Sequence, residues 1–185
     1  MKTAVLLDVD GGVICQILIV GPLLWLPLHC ASGPMGRRVP KAHVLKEGEN
    51  KAGTKPEELI VLNEDPARDI AIAATRYYDC LSPVIQWVAA KVEMRCRLEW
   101  LWPDWRGTAR SEQAECTILA IYRPPAYVFE IQDRRIIVHT RLALVDFAAW
   151  DGLSGSLLST TDGKPVGTLH GRSGKDAKAI FLLGR

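Results

Sequence analysis

The chain has 185 residues and a formal net charge of +2, which is too balanced for the basic face of a nucleic-acid-binding protein. Hydrophobic residues make up 48% and charged residues 24%, values that exclude a disordered chain. At this length a single domain can bury a core without disulfides or metal ions.

The first predicted element is a strand at residues 3–7, a short apolar run of strand-forming residues. Asp-Val-Asp-Gly-Gly follows at residues 8–12 and predicts a turn. Because the run is apolar on both faces, it is typical of a central strand in a parallel sheet. The acidic turn would then lie at the carboxyl end of that strand, where sheets of this kind bind ligands.

The apolar stretch at residues 13–28 resembles a membrane segment in composition only. It is interrupted by Gln16, Gly21 and two prolines, and it is shorter than the roughly 20 apolar residues of a spanning helix. As a signal peptide it would be preceded by two acids, Asp8 and Asp10, where acids are unwelcome, and small residues are missing before Cys30. We therefore expect a buried strand and loop here, with a membrane anchor as the alternative.

The cysteines do not predict a disulfide framework or a zinc ribbon. There are five of them, an odd number, and no two form a Cys-x-x-Cys pair. Reduced, mostly buried thiols in a cytoplasmic protein are the expectation.

The rest of the chain alternates predicted helices and strands. Gly- and Pro-rich residues 32–56 predict a long loop or the stalk of an insert. Asp-Pro and Ser-Pro pairs mark two helix starts, and apolar spacing marks a third helix. Helices are expected at residues 65–79, 84–92 and 108–122, and strands at 58–63, 96–102, 127–131, 136–145, 155–158 and 180–183. This order predicts an α/β fold: a Rossmann-like, mostly parallel sheet flanked by helices, with a small insert after the first strand.

The segment Ala4–Ile14 resembles the first motif of the haloacid dehalogenase-like (HAD) superfamily, an apolar strand followed by Asp-x-Asp-Gly. Asp8 and Asp10 match the two aspartates when Gly12 is counted as an extra residue in the turn. The resemblance implies that Asp8 is the nucleophile and a magnesium ligand. It implies that Asp10 is the general acid/base and binds the metal through its carbonyl oxygen. Paired carboxylates suit both Mg²⁺ and aspartyl-phosphate chemistry; the alternative is an acidic turn that simply ends a strand.

The second and third motifs of the superfamily are matched less completely. The second requires Ser or Thr after an apolar strand, and Thr108, at the start of a predicted helix, is the nearest hydroxyl. The third is a lysine, in whose place Arg134 or Arg135 offers a positive charge. The resemblance thus implies that Thr108 and Arg135 bind the phosphoryl group.

The segment 142–151 matches the fourth motif, an apolar strand followed by two acidic residues, here Asp146 and Asp151. Two acids at the end of a neighbouring strand would complete a metal site with Asp8 and Asp10. The alternative is that Asp146 caps a helical turn and Asp151 begins an Asp-Gly turn.

Other reactive residues predict no site. The four histidines are scattered without the spacing of metal ligands. Ser154 and Ser156 lie in Leu-Ser-Gly-Ser, which is not a nucleophile elbow. Residues 171–175 match a phosphate-binding loop only in part, and a flexible basic tail is the expectation.

The preferred hypothesis is a cytoplasmic, single-domain, Mg²⁺-dependent phosphohydrolase of HAD type, acting on a small phosphorylated substrate through an aspartyl phosphate at Asp8. Its metal ligands would be Asp8, Asp10, Asp146 and Asp151. No nucleic-acid or membrane partner is expected. A cap or long-loop insert, about residues 16–80, would select the substrate. The alternatives are a catalytically inactive HAD-like binding module and a membrane-associated protein anchored by residues 13–28.

Overall fold

The computed structural model describes residues 2–32, 41–75, 85–131, 134–173 and 178–184. In these ranges nearly all regular structure is β. The exceptions are a five-residue α-helix, α1 (Leu28–Ser32), and a short 3-10 helix at Lys51–Gly53. The strands build two six-stranded units and one hairpin.

The first unit is built by strands β1 (Lys2–Leu7), β2 (Val13–Val20), β3 (Leu23–Pro27), β4 (His43–Leu45), β5 (Ile60–Asp65) and β6 (Ile70–Ala74). They pair in the order β4-β1-β2-β3-β6-β5, and every pair is antiparallel. A bridge between Ala42 and Glu57, which precede the two edge strands, brings the edges together. We call this unit barrel 1.

The later strands are β7 (Arg95–Pro103), β8 (Ala109–Tyr122), β9 (Ala126–Ile131), β10 (Arg134–Val138), β11 (Leu142–Ala148), β12 (Leu157–Thr160), β13 (Pro165–Ser173) and β14 (Lys178–Leu183). Strands β9 and β10 form a separate antiparallel hairpin. The other six close into a barrel in the order β11-β14-β13-β12-β7-β8, which we call barrel 2. Antiparallel pairing joins each neighbouring pair.

Each barrel encloses an apolar core, because side chains on a strand alternate between its two faces. The core of barrel 1 includes Ala4, Leu6, Cys15, Ile17, Leu24, Leu26, Ala71 and Ala73. The core of barrel 2 includes Leu98, Trp100, Ile118, Val145, Leu153, Leu158, Leu169 and Phe181. A smaller cluster joins the barrels and consists of Val5, Leu7, Leu45, Leu101 and Ala109.

The apolar run at residues 3–7 is a strand, as predicted, but its surroundings differ from those expected. Ala4 and Leu6 face the core of barrel 1, whereas Val5 and Leu7 face the cluster between the barrels. The strand is therefore buried on both faces by two barrels, and its neighbours are antiparallel. A continuous apolar run does not distinguish this position from the centre of a parallel sheet.

The predicted α/β, Rossmann-like fold is wrong: the described chain is almost entirely β. Residues 65–75 form the end of β5, a turn and β6, residues 85–92 form no helix, and residues 109–122 form the long strand β8. In β8 the side chains of Ala114, Cys116 and Ile118 turn inward at a period of two. The helix-like apolar spacing there was coincidental, and pairing with β7 and β11 overrides local propensity.

The predicted strands fared better. The strands predicted at residues 96–102, 127–131 and 180–183 coincide largely with β7, β9 and β14. The single strand predicted at residues 136–145 is instead the end of β10 and the start of β11, which belong to different units. The described part of the predicted insert, residues 16–32 and 41–75, contains β3 to β6 and most of β2, all in barrel 1. The expected basic tail is in part strand β13, and residues 174 and 175 lie outside the described ranges.

The apolar stretch at residues 13–28 forms the β2–β3 hairpin and leads into α1. Among the described residues, no helix has the length and apolar character to cross a membrane. The alternative of a helical anchor at residues 13–28 therefore finds no support.

Candidate functional site

A cluster of two histidines and one aspartate lies where the two barrels meet. His29 is in helix α1, directly after β3, and Asp69 is in the turn between β5 and β6. His170 comes from the other side, on strand β13 of barrel 2. The side chains of Asp69 and His170 are 4% and 2% exposed, so both are shielded from solvent, whereas that of His29 is 15% exposed.

Asp69 organises the cluster through hydrogen bonds to both of its oxygens. The backbone N–H of His29 donates to Oδ1 over 3.0 Å, and Nδ1 of His29 lies 2.6 Å from Oδ2. Nδ1 of His170 lies 2.8 Å from the same Oδ2. The backbone carbonyl of Asp69 also accepts from Leu28, over 2.9 Å. The turn holds Asp69 at a φ of +52°, a conformation that non-glycine residues seldom adopt.

Electrostatics keep Asp69 ionised. Burial alone would raise the pKa of its carboxyl group, but the hydrogen bonds from His170 and His29 outweigh burial and hold that pKa well below its usual range. Burial lowers the pKa of His170 more than Asp69 raises it, so His170 is neutral at pH 7. An ionised carboxylate can only accept, and Nδ1 of each imidazole therefore carries the proton that it donates.

His29 has a raised pKa. Burial lowers it, but the Cys30 side chain and the Asp69 carboxylate act more strongly in the opposite direction. The hydrogen bond that the Cys30 thiol makes with Cys15, together with burial, raises the pKa of that thiol well above its usual value, so the thiol is uncharged at pH 7. At neutral pH the charge that stabilises the His29 imidazolium is therefore that of Asp69.

The same three side chains are the group among the described residues whose ligand atoms converge closely enough to suggest a metal site. Tetrahedral zinc with bonds of about 2.1 Å would separate its ligand atoms by roughly 3.4 Å. The two nitrogen–oxygen distances here are 2.6 and 2.8 Å. These separations are those of charge-assisted hydrogen bonds, so we interpret the cluster as a hydrogen-bonded array.

The turn between β11 and β12 carries a serine to the junction of the barrels, where the turn shares a cavity with His170. Ser154 is half-buried and lies between Gly152 and Gly155, both with a φ of +90°. Gly155 lines a small cavity together with Pro27, which precedes α1, and with His170. In the described chain, the hydroxyl of Ser154 and the backbone N–H groups of Gly152 and Ser154 make no hydrogen bond.

Gln16 of β2 fastens this turn to barrel 1. Its backbone N–H donates to the carbonyl of Ser154 over 2.7 Å, and its Nε2 lies 3.2 Å from the carbonyl oxygen of Gly152. Its Oε1 accepts from the backbone N–H of Leu101 over 2.8 Å. Gln16 is fully buried, and these bonds hold the serine turn in place against the histidine-bearing barrel.

The predicted nucleophile and acid/base lie in a hairpin turn of barrel 1. Asp8 accepts at Oδ1 from the backbone N–H groups of Gly11 and Gly12, over 2.6 and 2.7 Å, which is a typical turn-stabilising role for aspartate. Asp10, in the same turn, is exposed. The acidic turn that ends a strand, the alternative to the HAD motif, describes this geometry.

The other predicted site residues are spread over barrel 2 and the β9–β10 hairpin. Asp146, on β11, accepts from the backbone N–H of Thr117 over 2.5 Å, and the side chain of Asp151 is 98% exposed. Thr108 bonds Asn50 before β8, and Arg135 is in β10. Among the described residues, the group whose ligand atoms lie close enough together for a metal ion is His29, Asp69 and His170. It includes none of the four predicted acids. Their catalytic and metal-binding roles, bound Mg²⁺ and a phosphorylated substrate stay predictions that no observation tests.

Solved structures with this architecture include bacterial and viral proteases. The chain resembles the active form of the Rv3671c protease from M. tuberculosis with a TM-score of 0.69 and 19% identity, over 98% of this chain and 75% of that one. It resembles the MamO protease domain from Magnetospirillum magneticum with a TM-score of 0.65 and 14% identity, over 99% and 90%. For the tobacco etch virus protease bound to product, the values are 0.62 and 16%, over 99% and 72%. No family model and no curated protein matches the chain.

These likenesses show the fold, which is the two-barrel fold of chymotrypsin-like proteases. The resemblance to the HAD superfamily, and the phosphohydrolase and inactive HAD module inferred from it, are therefore wrong. A short acidic turn after an apolar strand satisfied the first HAD motif, but the surrounding chain does not build the parallel sheet that the motif requires.

Sequence reasoning missed His29, Asp69 and Ser154 as a set. Two signals were present: a serine between glycines in Gly152–Gly155, and the chain order His, Asp, Ser, which is that of chymotrypsin-type sites. Neither signal decides alone, because 125 positions separate the histidine from the serine, and only the fold brings their segments together.

Proposed function

We propose that this protein is a serine peptidase in which Ser154 is the nucleophile, His29 the general base and Asp69 the residue that orients the base. The observation that carries the proposal is the His29–Asp69 hydrogen bond at the junction of the barrels, together with a glycine-flanked serine turn whose Gly155 shares a small cavity with His170, the second partner of Asp69. The fold supports it as well, since the neighbouring solved structures are named as proteases.

The hydrogen-bond pattern assigns the roles within the pair. Because Nδ1 of His29 donates to Asp69, the basic nitrogen of its neutral ring is Nε2. Nε2 would take the proton of the Ser154 hydroxyl as its oxygen attacks the peptide carbonyl, and would later give that proton to the leaving amine. Asp69 remains ionised throughout and stabilises the imidazolium that forms in between.

The serine turn would also supply hydrogen-bond donors for the negative charge that develops on the substrate carbonyl oxygen. The backbone N–H groups of Gly152 and Ser154 have no acceptor within the described chain. Such N–H groups beside a nucleophile can donate to the oxyanion of a tetrahedral intermediate. A positive φ at Gly152, which suits glycine, helps to set the direction of these groups.

A covalent probe tests the nucleophile directly. A fluorophosphonate that carries a reporter group should form an adduct on Ser154, located by tryptic peptide mass spectrometry, and hydrolysis of a fluorogenic peptide library should be inhibited in parallel. Ser154→Ala should abolish both signals, whereas Ser111→Ala, an exposed serine on β8, should retain them. An unlabelled wild type, or labelling that survives Ser154→Ala, would contradict the proposal.

A further inference from the structure

The carboxylate of Asp69 has one more imidazole partner than the proposed mechanism uses. His29 already bonds both carboxylate oxygens, through its backbone N–H and its ring. His170 adds a third donor at 2.8 Å, on the same Oδ2 that accepts from the ring of His29. The centroids of the two rings lie 6.2 Å apart, and the rings meet edge to face.

The ring of His170 is held in one orientation and one tautomer. Its Nδ1 donates to Asp69, so its Nε2 is an acceptor when the ring is neutral. That Nε2 lies 2.9 Å from Oγ1 of Thr168, two residues earlier on β13, and the hydroxyl therefore donates to it. A chain of hydrogen bonds runs from Thr168 through His170 to Asp69, where it meets His29.

We propose that His170 is a positioning residue for the proposed catalytic pair: its Nδ1–H fixes the Asp69 carboxylate in the plane that faces His29 and takes up part of its negative charge. This inference rests on the proposed function for its catalytic meaning. The hydrogen-bond array itself is independent of whether the chain hydrolyses peptides.

Sharing the carboxylate has a measurable consequence at His29. When a carboxylate loses one hydrogen-bond donor, its negative charge is less neutralised. It then attracts the remaining imidazolium more strongly and stabilises that charged form. Removing the His170 N–H should therefore make His29 more basic. Cys30, in contact with Cys15, also faces His29, and it is the same in every variant below.

The test compares two replacements of His170 in a Ser154→Ala background, which removes any turnover. His170→Asn keeps an N–H donor close to the position of Nδ1, whereas His170→Phe keeps a flat ring without a donor. The measurement is the pH titration of the His29 Cε1–H resonance by NMR, with urea unfolding to confirm that each variant is folded. Thr168→Val, which removes the donor to Nε2, is a third variant for the case that His170→Phe does not fold.

Loss of one hydrogen bond should raise the His29 midpoint by about 0.5–1 pH unit in His170→Phe, and by a smaller step in Thr168→Val. His170→Asn should stay within about 0.3 unit of the parent. Equal shifts in the Asn and Phe variants, no shift, or a downward shift would each overturn the proposal, because packing alone would not separate the two replacements in this direction.

A second arm separates this proposal from the proposed function. With Ser154 restored, His170→Phe should lower kcat for peptide hydrolysis about tenfold with little change in KM, and His170→Asn should recover most of that loss. A protein that hydrolyses no peptide but shows the NMR shift would contradict the peptidase and leave the array standing. Hydrolysis without the shift would contradict the array alone.

Discussion

At the scale of single residues, Asp69 combines several energetically costly properties. It is buried, ionised, held at a positive φ and bonded to groups from both barrels. An isolated buried carboxylate would be costly, and here three donors compensate for the lost water. A charge kept in such surroundings agrees with the proposed role of Asp69, which is to orient His29 and stabilise its imidazolium.

Asp69→Asn should lower kcat/KM for peptide hydrolysis by about 10³- to 10⁴-fold, because an amide in its place can stabilise neither the donor tautomer of His29 nor the imidazolium. Steady-state kinetics on a fluorogenic peptide would measure the loss. Asp65→Asn is a matched control, since Asp65 is four residues earlier and its exposed ion pair with Arg68 spans 3.5 Å. A similar loss in both variants would contradict the assigned role.

The pH dependence of hydrolysis follows from the raised pKa of His29. The base must be neutral to accept a proton, so kcat/KM should rise with pH through the pKa of His29, with a midpoint above the ordinary value of 6.5. A pH–rate profile of the wild type checks this expectation. A rising limb centred at or below 6.5 would contradict a base held against an ionised Asp69.

Position 155 requires glycine for two reasons: the backbone of Gln16 lies very close to it, and its φ is positive. A Cβ there would lie 1.9 Å from the carbonyl oxygen of Gln16. Gly155→Ala should therefore lower the free energy of unfolding by about 3–5 kcal/mol in urea titrations. Gly21→Ala, also at positive φ but with no atom within 4 Å, should cost only about 1–2 kcal/mol. Equal losses would mean that backbone conformation, and not crowding, decides.

At the scale of elements, the sequence predicted strands well where a short apolar run ends at turn residues, as for β1 and β7. It failed for β8, where Ala, Glu and Gln favour a helix in isolation and the pairing partners that override them lie elsewhere in the chain. The placement of the serine turn could not be predicted for a related reason. Nothing local to Ser154 shows that Gln16, on β2, will hold it.

Substitution of Gln16 tests whether this residue holds the serine turn in place. Gln16→Ala would leave the buried N–H of Leu101 without its side-chain acceptor and open a cavity between β2 and β7. We expect a loss of about 2–4 kcal/mol in the free energy of unfolding, together with weaker fluorophosphonate labelling of Ser154. Gln113→Ala, an exposed glutamine on β8, should change neither measurement by much. Normal labelling in Gln16→Ala would contradict its role in placing the serine turn.

At the scale of the whole molecule, the two barrels are joined by an apolar cluster and by buried polar links that also build the site. The cluster includes Val5 and Leu101, and the polar links are those of Gln16 and of Asp69 with His170. Composition could not predict this arrangement, since the near-neutral net charge says nothing about where a few buried charged and polar groups meet. The proposed function and the cohesion of the barrels would thus depend on the same hydrogen bonds.

This coupling predicts an acid-sensitive stability that can be assigned to His170. Its pKa is lowered in the folded protein, so below about pH 6.5 the unfolded chain takes up a proton that the folded one does not. The free energy of unfolding should fall with decreasing pH by up to about 1.4 kcal/mol per pH unit from this group, until the folded-state pKa is reached. Asn does not titrate, so His170→Asn should show a shallower decline between pH 6.5 and 5 in urea unfolding at stepped pH. Parallel declines in the two proteins would place the acid sensitivity elsewhere, and the buried imidazole would then not be the neutral link between the barrels.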